Sequence, residues 1–327
     1  MSLDSEQIEL SIVVPVYNEE QNLDCLFERL ESVLEPMKVS YEIVCVNDGS
    51  QDNTIEYLIA HHQRNSAIKV INFSRNFGKE IALSAGLDYS SGAAVIPIDA
   101  DLQDPPELIK QLVDKWHEGY DVVYATRRSR NEESLLKRFT ANNFYRIIAK
   151  MSRVPIPANT GDFRLMDRKV VEAIKQMPER TRFMKGMFAW VGFKQTSVLF
   201  ERPKRYKGKT TWNYCKLWNF AIDGIASFSM IPLKIWSYIG ILVSFLAFLY
   251  GSFLIISTLI WGIDVPGYAS IMVVTLFLGG IQLISLGAIG EYLSRVYEEV
   301  KRRPLYLVRE SYGFANEQLE ETTQETL

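Results

Sequence analysis

Three carboxylates and a carboxamide crowd into the stretch PIDADLQDPP at residues 97–106: Asp99, Asp101, Gln103 and Asp104. Carboxylates this close repel one another unless something positive sits among them. Hard oxygen ligands of this kind suit Mg2+ or Mn2+, ions that commonly complete their shells with substrate phosphates. An Asp-x-Asp pair alone says little, because about one arises by chance in a chain of this size. Its position says more. Side chains at i and i+2 of a strand share a face, so Asp99 and Asp101 point the same way off the end of an apolar run, with Gln103 following in the loop. The chemistry this predicts is a divalent ion holding a diphosphate.

The elements that must position these residues alternate between two periods. IELSIVVPVY (8–17) reads as a buried strand, followed by a helix from Asn18, an N-cap supported by Gln21 three residues on. YEIVCVN (41–47) is the next strand, and Ser50 or Asp52 opens the helix after it. IKVINFS (68–74) is a third strand, KEIALSAGLDYS (79–90) a helix, AAVIPID (93–99) a fourth strand and DVVYATR (121–127) a fifth. Between the last two, Asp104 caps a helix with Pro105 and Pro106 in its first turn. Apolar strands alternating with helices predict an α/β fold, a mostly parallel sheet covered on both faces. Ligands of such sheets bind at the carboxyl ends of the strands, where VYNEE, VNDGSQD, DADLQD and ATRR all fall. Beyond them the pattern predicts a helix at 132–152, a strand near 160–166, a helical stretch at 168–191 and a strand at 195–201, then the basic loop RPKRYKGKTTWNY.

The 327 residues are 47% hydrophobic, which excludes a disordered chain. The formal net charge of −3 conceals an uneven distribution: residues 127–153 carry eight Lys/Arg against two Glu, and residues 194–209 carry six against one. Such blocks are solvated surface or serve anionic partners; no nucleic-acid partner is expected. Cys25, Cys45 and Cys215 are odd in number and widely spaced, suggesting neither a disulfide framework nor a zinc site. His61, His62 and His117 also lack metal-ligand spacing. The N-terminus MSLDSEQIEL has no basic-then-apolar signal sequence.

Residues 235–263 and 265–290 contain no charged side chain, and each run exceeds the ~20 residues that cross a bilayer as a helix. Lys234 precedes the first run; Arg295, Lys301, Arg302 and Arg303 follow the second; the turn around Asp264 and Pro266 has no Lys or Arg. The positive-inside rule then predicts a multi-pass protein of the cell membrane with both ends of the hairpin, and so the first 230 residues, on the cytoplasmic side. Residues 212–230 set Trp212, Leu217, Phe220, Ile225 and Phe228 among polar residues, as in an amphipathic helix at the membrane interface. Residues 314–327 read as a disordered polar tail. The expected division is a catalytic domain at 1–211, an interfacial helix at 212–232, two transmembrane helices at 233–294 and a cytoplasmic tail at 295–327.

VPVYNEEQNL, VNDGSQDNT, DADLQDPPE and TGDFRLMDR, in that order, resemble the motif series of family 2 glycosyltransferases. More narrowly they resemble the polyprenyl-phosphate sugar transferases, including the dolichol-phosphate mannose synthases. With GKTTWNYCKLWNFAIDGI and the two apolar runs, the similarity is greatest to bactoprenol (undecaprenyl-phosphate) glucosyltransferases of the GtrB type, over roughly residues 8–305. The resemblance implies a GT-A type nucleotide-sugar domain and an inverting, Mg2+- or Mn2+-dependent transfer of a hexose, glucose from UDP-glucose, to a membrane polyprenyl phosphate. It implies that Pro15, Tyr17 and Glu19 line the nucleoside, that Val46 and Asp48 meet the base, and that Asp99, Ala100, Asp101 and Gln103 form the metal and diphosphate motif. Arg127, Arg138 and Arg205 correspond to the basic residues that hold the lipid phosphate. Thr210 and Thr211 stand where mannose synthases commonly carry Ser and Lys, which favours the glucose branch over a GDP-mannose enzyme.

Asp162 in TGDFR is the candidate general base, with orientation of the sugar or of an Arg as the alternative role. Plainer readings stand beside these: Tyr17 ends a strand, Asp48-Gly49-Ser50 is a turn and cap, Asp162 partners Arg164, and Arg127 and Arg205 are solvated charges. The rival from another class is a non-catalytic membrane scaffold that binds nucleotides. A processive polysaccharide synthase would bring a Gln-x-x-Arg-Trp type motif and more spans, and the sequence has neither. A homo-oligomer stays open.

Overall fold

Strands rich in Val and Ile that lose water on both faces have one stable arrangement, the interior of a sheet with helices on each side. The computed structural model describes residues 8–128, 160–177, 179–180, 182–201, 231–261 and 267–314. Along the chain it runs β1 (Leu10–Val16), α1 (Leu23–Met37), β2 (Tyr41–Asn47), α2 (Thr54–Arg64), β3 (Ile68–Phe73), α3 (Lys79–Tyr89) and β4 (Ala94–Pro97). A single 3₁₀ turn, Pro106–Leu108, then leads into α4 (Ile109–His117), β5 (Val122–Arg127), β6 (Thr160–Asp167), α5 (Arg168–Lys175), α6 (Met184–Trp190) and β7 (Gln195–Phe200). Two long helices, α7 (Ile231–Trp261) and α8 (Tyr268–Lys301), precede β8 (Val308–Tyr312).

The strands form one eight-stranded sheet in the order β7-β5-β6-β4-β1-β2-β3-β8. Pairings are parallel except at β6, antiparallel to β4 and β5, and at β8, antiparallel to β3. Alternation divides the core in two. Ile12, Val14, Ile43 and Cys45 pack with Leu26, Phe27 and Leu30 of α1 and Leu112 of α4. Val13, Val44 and Val46 pack with Leu83 and Leu87 of α3, Val170 of α5 and Met187 of α6. Gly86 lets α3 lie close on β1, since a Cβ there would stand 2.1 Å from Val13 Cγ1.

Four boundaries differ from expectation. α1 begins at Leu23, not at Asn18, because Asn18 adopts φ +54 and spends its hydrogen bonds on the next loop. α2 begins at Thr54 behind Asn53, with Asp52 Oδ1 accepting the Thr54 N–H at 3.2 Å. Pro105 takes the cap position before the Pro106–Leu108 turn, leaving Asp104 buried one residue upstream. The helical stretch expected at 168–191 is two helices, α5 and α6.

α7 and α8 pack against each other. By length and composition α8 holds one stretch sufficient to cross a bilayer, Val273–Lys301, and α7 a shorter apolar one, Tyr238–Phe253. After α8 the chain returns to the eight-stranded sheet. β8 pairs with β3, and Tyr306 is buried against Phe73 with its ring stacked at 5.1 Å. The sequence alone predicts no strand there. The helix expected at 132–152, the basic loop with Arg205, the interfacial helix at 212–230 and the polar tail beyond Phe314 lie outside the described residues.

Candidate active site

The four parallel strands β1 to β4 and β5 release their chains at one edge of the sheet. Tyr17, Asp48 and Asp99 lie just past the ends of β1, β2 and β4, and Arg127 closes β5. β6 runs the other way, with Thr160 opposite Thr126 and Arg164 opposite Tyr124, so Asp162 near its start also arrives at this edge. Topology thus joins residues that lie far apart in sequence.

At that edge Lys79, the first residue of α3, places its ammonium between two strands. Nζ lies 2.6 Å from Asp99 Oδ1, 2.8 Å from Asp99 Oδ2 and 2.8 Å from Asp162 Oδ2. Lys79 keeps 45% of its side-chain surface open to solvent; desolvation lowers its pKa, but the two carboxylates outweigh this and hold the group above its ordinary value. Burial raises Asp162, yet Lys79 and Lys185 overcome it and keep the carboxylate ionised well below the usual range. Its other oxygen, Oδ1, is buried with no hydrogen-bond donor among the described residues. Beside it Glu80, which accepts the Met184 N–H at 3.2 Å, is pushed up to about 7 by burial and by the Asp162 charge. Arg164 is lowered to about 10 by burial, lies over the Phe188 ring at 4.1 Å and donates to Gly161 O at 2.8 Å.

Two neighbouring loops brace this group. Asp48 is buried, and its carboxylate accepts the N–H of Phe77 at 2.6 Å and of Gly78 at 2.9 Å, fixing the turn that delivers Lys79. Burial raises the Asp48 pKa against those bonds. Asn18 receives the Gln51 N–H at 2.8 Å while its own N–H donates to Ser50 Oγ at 2.9 Å, and Glu20 Oε2 receives the Asn53 N–H at 3.0 Å. The loop at residues 99–104 is equally constrained. Leu102 is buried at φ +60, a region few non-glycine residues occupy, and Asp101 Oδ1 accepts the Gln103 N–H at 3.1 Å.

Comparison with known proteins agrees with this architecture. Residues 11–175 match the family described as Glycosyl transferase family 2, and residues 231–296 match the GtrB C-terminal hairpin. The chain belongs to glycosyltransferase family 2. Within it, the chain is 68% identical over 306 residues to an uncharacterized glycosyltransferase of Synechocystis sp., covering 94% of this chain and 96% of that one. It is 48% identical over 305 residues to the SfII prophage-derived bactoprenol glucosyl transferase of Shigella flexneri, covering 93% and 99%. Among solved structures, glucosyl-3-phosphoglycerate synthase from Mycobacterium tuberculosis with Mn2+, UDP and phosphoglyceric acid is similar at a TM-score of 0.48 and 18% identity, over 67% of this chain and 76% of that one. This glycosyltransferase has the GT-A architecture that its motif series implies, a mostly parallel sheet with the functional edge at the strand ends.

The expected residues of this family 2 enzyme are placed unevenly. Pro15 and Glu19 are half-buried, Tyr17 is exposed, and Val46 is buried inside the core. Ala100 and Asp101 are buried, while Asp99 and Gln103 are half-buried. Asp99 and Asp162 are brought together through Lys79; Arg127 ends β5 half-buried; Arg138 and Arg205 lie outside the described residues. Lys79 and Glu80 are functional candidates that the sequence alone does not single out. Among the described residues no group of three or more His, Cys, Asp or Glu converges as a ready-made metal cage. Mg2+, however, is usually held by only one or two carboxylates and finishes its shell with phosphate oxygens and water. Asp99 and Asp101 supply two, Gln103 a third oxygen, and the all-oxygen set fits such an ion.

Proposed function

We propose that this glycosyltransferase moves glucose from UDP-glucose to a membrane polyprenyl phosphate, with inversion, on the cytoplasmic face. The observation that carries the reading is the Asp99–Lys79–Asp162 cluster at the strand ends of a chain 48% identical, over nearly its full length, to a bactoprenol glucosyl transferase. Asp99, Asp101 and Gln103 would hold Mg2+ or Mn2+, which when bound supplies Lewis-acid stabilisation to the departing diphosphate. The acceptor needs little activation, since a phosphate monoester with a second pKa of about 6 is largely dianionic at neutral pH. Asp162 Oδ2 is occupied by the Lys79 ammonium at 2.8 Å, so we assign Asp162 to orientation rather than to general-base catalysis. Pro15, Tyr17, Glu19, Asp48 and Ala100 border the nucleotide sugar, and Val46 supports them from inside the core rather than meeting the base itself. Arg127, with Arg138 and Arg205, takes the acceptor phosphate by the bidentate contacts a guanidinium allows.

α7 and α8 keep this site at the lipid surface. Phe248 and Leu283 leave 72% of their surface uncovered by protein and Leu259 81%, a state that suits side chains facing lipid. The Lys/Arg asymmetry around the hairpin supports a cytoplasmic setting for both of its ends, and so for the catalytic domain. Membranes containing the chain, supplied with polyprenyl phosphate and a panel of labelled UDP-glucose, UDP-GlcNAc and GDP-mannose, should label lipid from UDP-glucose alone. Label from GDP-mannose instead would assign a mannose synthase, and binding without transfer from any donor would favour the scaffold.

A further inference from the structure

We propose that Lys79 is a positioning residue of the transfer, a resident cation that yields Asp99 to a divalent ion and keeps hold of Asp162. The inference rests on the metal-assisted reading above. Three oxygens of two strand-end carboxylates lie within 2.8 Å of one ammonium, so Asp99 is in use by Lys79 while also belonging to the metal motif. Charge decides how the sharing resolves. Asp162 also sits in the field of Lys185 and Arg164, whereas Asp99 and Asp101 belong to the motif that would hold the ion, so a divalent charge is taken up on the Asp99 side. Because the ion takes Asp99, the ammonium is left on Asp162, the partner it does not share.

Lys79 is exposed, and backbone geometry together with its two carboxylate partners fixes where its ammonium lies. Lys79 follows Gly78 at φ +104, and the Gly78 N–H is held by the buried Asp48 carboxylate at 2.9 Å. The stem of the side chain is therefore anchored before the ammonium reaches the site. Asp162 Oδ1, buried and without a donor among the described residues, is the acceptor that a hydroxyl of the bound sugar would satisfy, provided Lys79 fixes the opposite oxygen.

The test uses the full-length protein in membranes or detergent and the variants Lys79→Met and Lys79→Arg. Lys79→Met removes the competing cation, so Mn2+ alone, titrated calorimetrically, should bind at least about threefold more tightly. The same variant should lose roughly tenfold or more in kcat with the UDP-glucose KM changed by less than about threefold, because the lost interaction positions rather than binds. Lys79→Arg keeps the charge and should recover part of kcat. Weaker Mn2+ binding together with a raised donor KM would overturn the proposal and make Lys79 a donor ligand. Unchanged kcat in Lys79→Met would equally overturn it. If Lys79→Met has a lowered thermal midpoint, the comparison moves to Lys79→Arg, where Mn2+ affinity close to that of the unmodified chain is expected and a tighter one would contradict the sharing. Absence of transfer by the unmodified chain would overturn the function proposed above instead, since the Mn2+ titration reads the ion sharing without any transfer.

Discussion

The Tyr306 hydroxyl donates to Asp88 Oδ2 at 2.9 Å, joining residues 218 apart in sequence. This bond, the stacking of Tyr306 on Phe73 at 5.1 Å and the Arg180 N–H to Glu299 Oε1 bond at 2.7 Å tie the end of α8 to the catalytic sheet. The hairpin is thereby attached to the domain it serves beyond the single chain connection before α7. Tyr306→Phe should cost about 1 kcal/mol, the worth of one such hydrogen bond. Tyr306→Ala should cost about 3–5 kcal/mol, as loss of a buried aromatic ring generally does. Hydrogen exchange checks both: β8 amides should lose protection in Tyr306→Ala while β1 and β2 amides keep theirs. Unchanged β8 protection would show that the clamp lies elsewhere.

Gly49 should not tolerate a side chain. It adopts φ +65, and a Cβ there would stand 2.4 Å from the Arg75 carbonyl carbon and 2.5 Å from the Asn76 nitrogen. Both are backbone atoms of the turn that Asp48 holds, so relief requires moving the segment that delivers Lys79. Gly49→Ala should destabilise by roughly 1–3 kcal/mol and weaken UDP binding as well. A thermal scan and a calorimetric UDP titration check this; a variant normal in both would remove the turn from the site.

Much of this fold is legible in the sequence because buried parallel strands read as unbroken apolar runs. β2 falls at the expected residues, and β1, β3 and β5 differ from expectation by a residue or two. Asn18 misleads because its side chain suits a cap, yet only the facing loop of Ser50 and Gln51 decides where its hydrogen bonds go. β8 carries the sequence VRESY, with no apolar run, and its partner β3 is more than two hundred residues away, so no local pattern marks it. Asp99 and Asp101 are readable from spacing. Lys79 is not, because a lysine opening a helix looks solvated until β4 and β6 are set side by side.

Glu80 makes stability depend on pH. Its folded-state value of about 7 stands above the ordinary 4.5, so between those pH values the folded state holds a proton that the unfolded chain has released. Stability contributed at this position therefore falls as pH rises from about 4.5 to about 7 and stays low above it. Glu80→Gln keeps an oxygen for the Met184 N–H and removes the titration. The variant should be the more stable of the two at pH 8, by roughly 3 kcal/mol at most, and the two should converge toward pH 5. Parallel thermal midpoints across that range would contradict this origin of the pH dependence.

Asp101→Ala should abolish transfer without unfolding the protein. Its Oδ1 bond to the Gln103 N–H shapes the metal-motif loop, and its carboxylate is one of the two strand-end ligands proposed for the ion. Activity should fall by on the order of a hundredfold or more, the scale of removing one electrostatic stabiliser of a transition state. The far-ultraviolet dichroism should be that of the unmodified chain. Wild-type turnover in this variant, or full activity of the unmodified chain in excess EDTA, would sink the metal assignment.

The most direct measurement combines the purified full-length protein with UDP-α-glucose, undecaprenyl phosphate and Mg2+, followed by mass spectrometry and NMR of the extracted lipid. The account predicts a lipid heavier by one hexose on its phosphate, with the β configuration at the anomeric carbon that a single inverting displacement leaves. Unmodified lipid alongside free glucose and UDP, or an α-linked product, would contradict it.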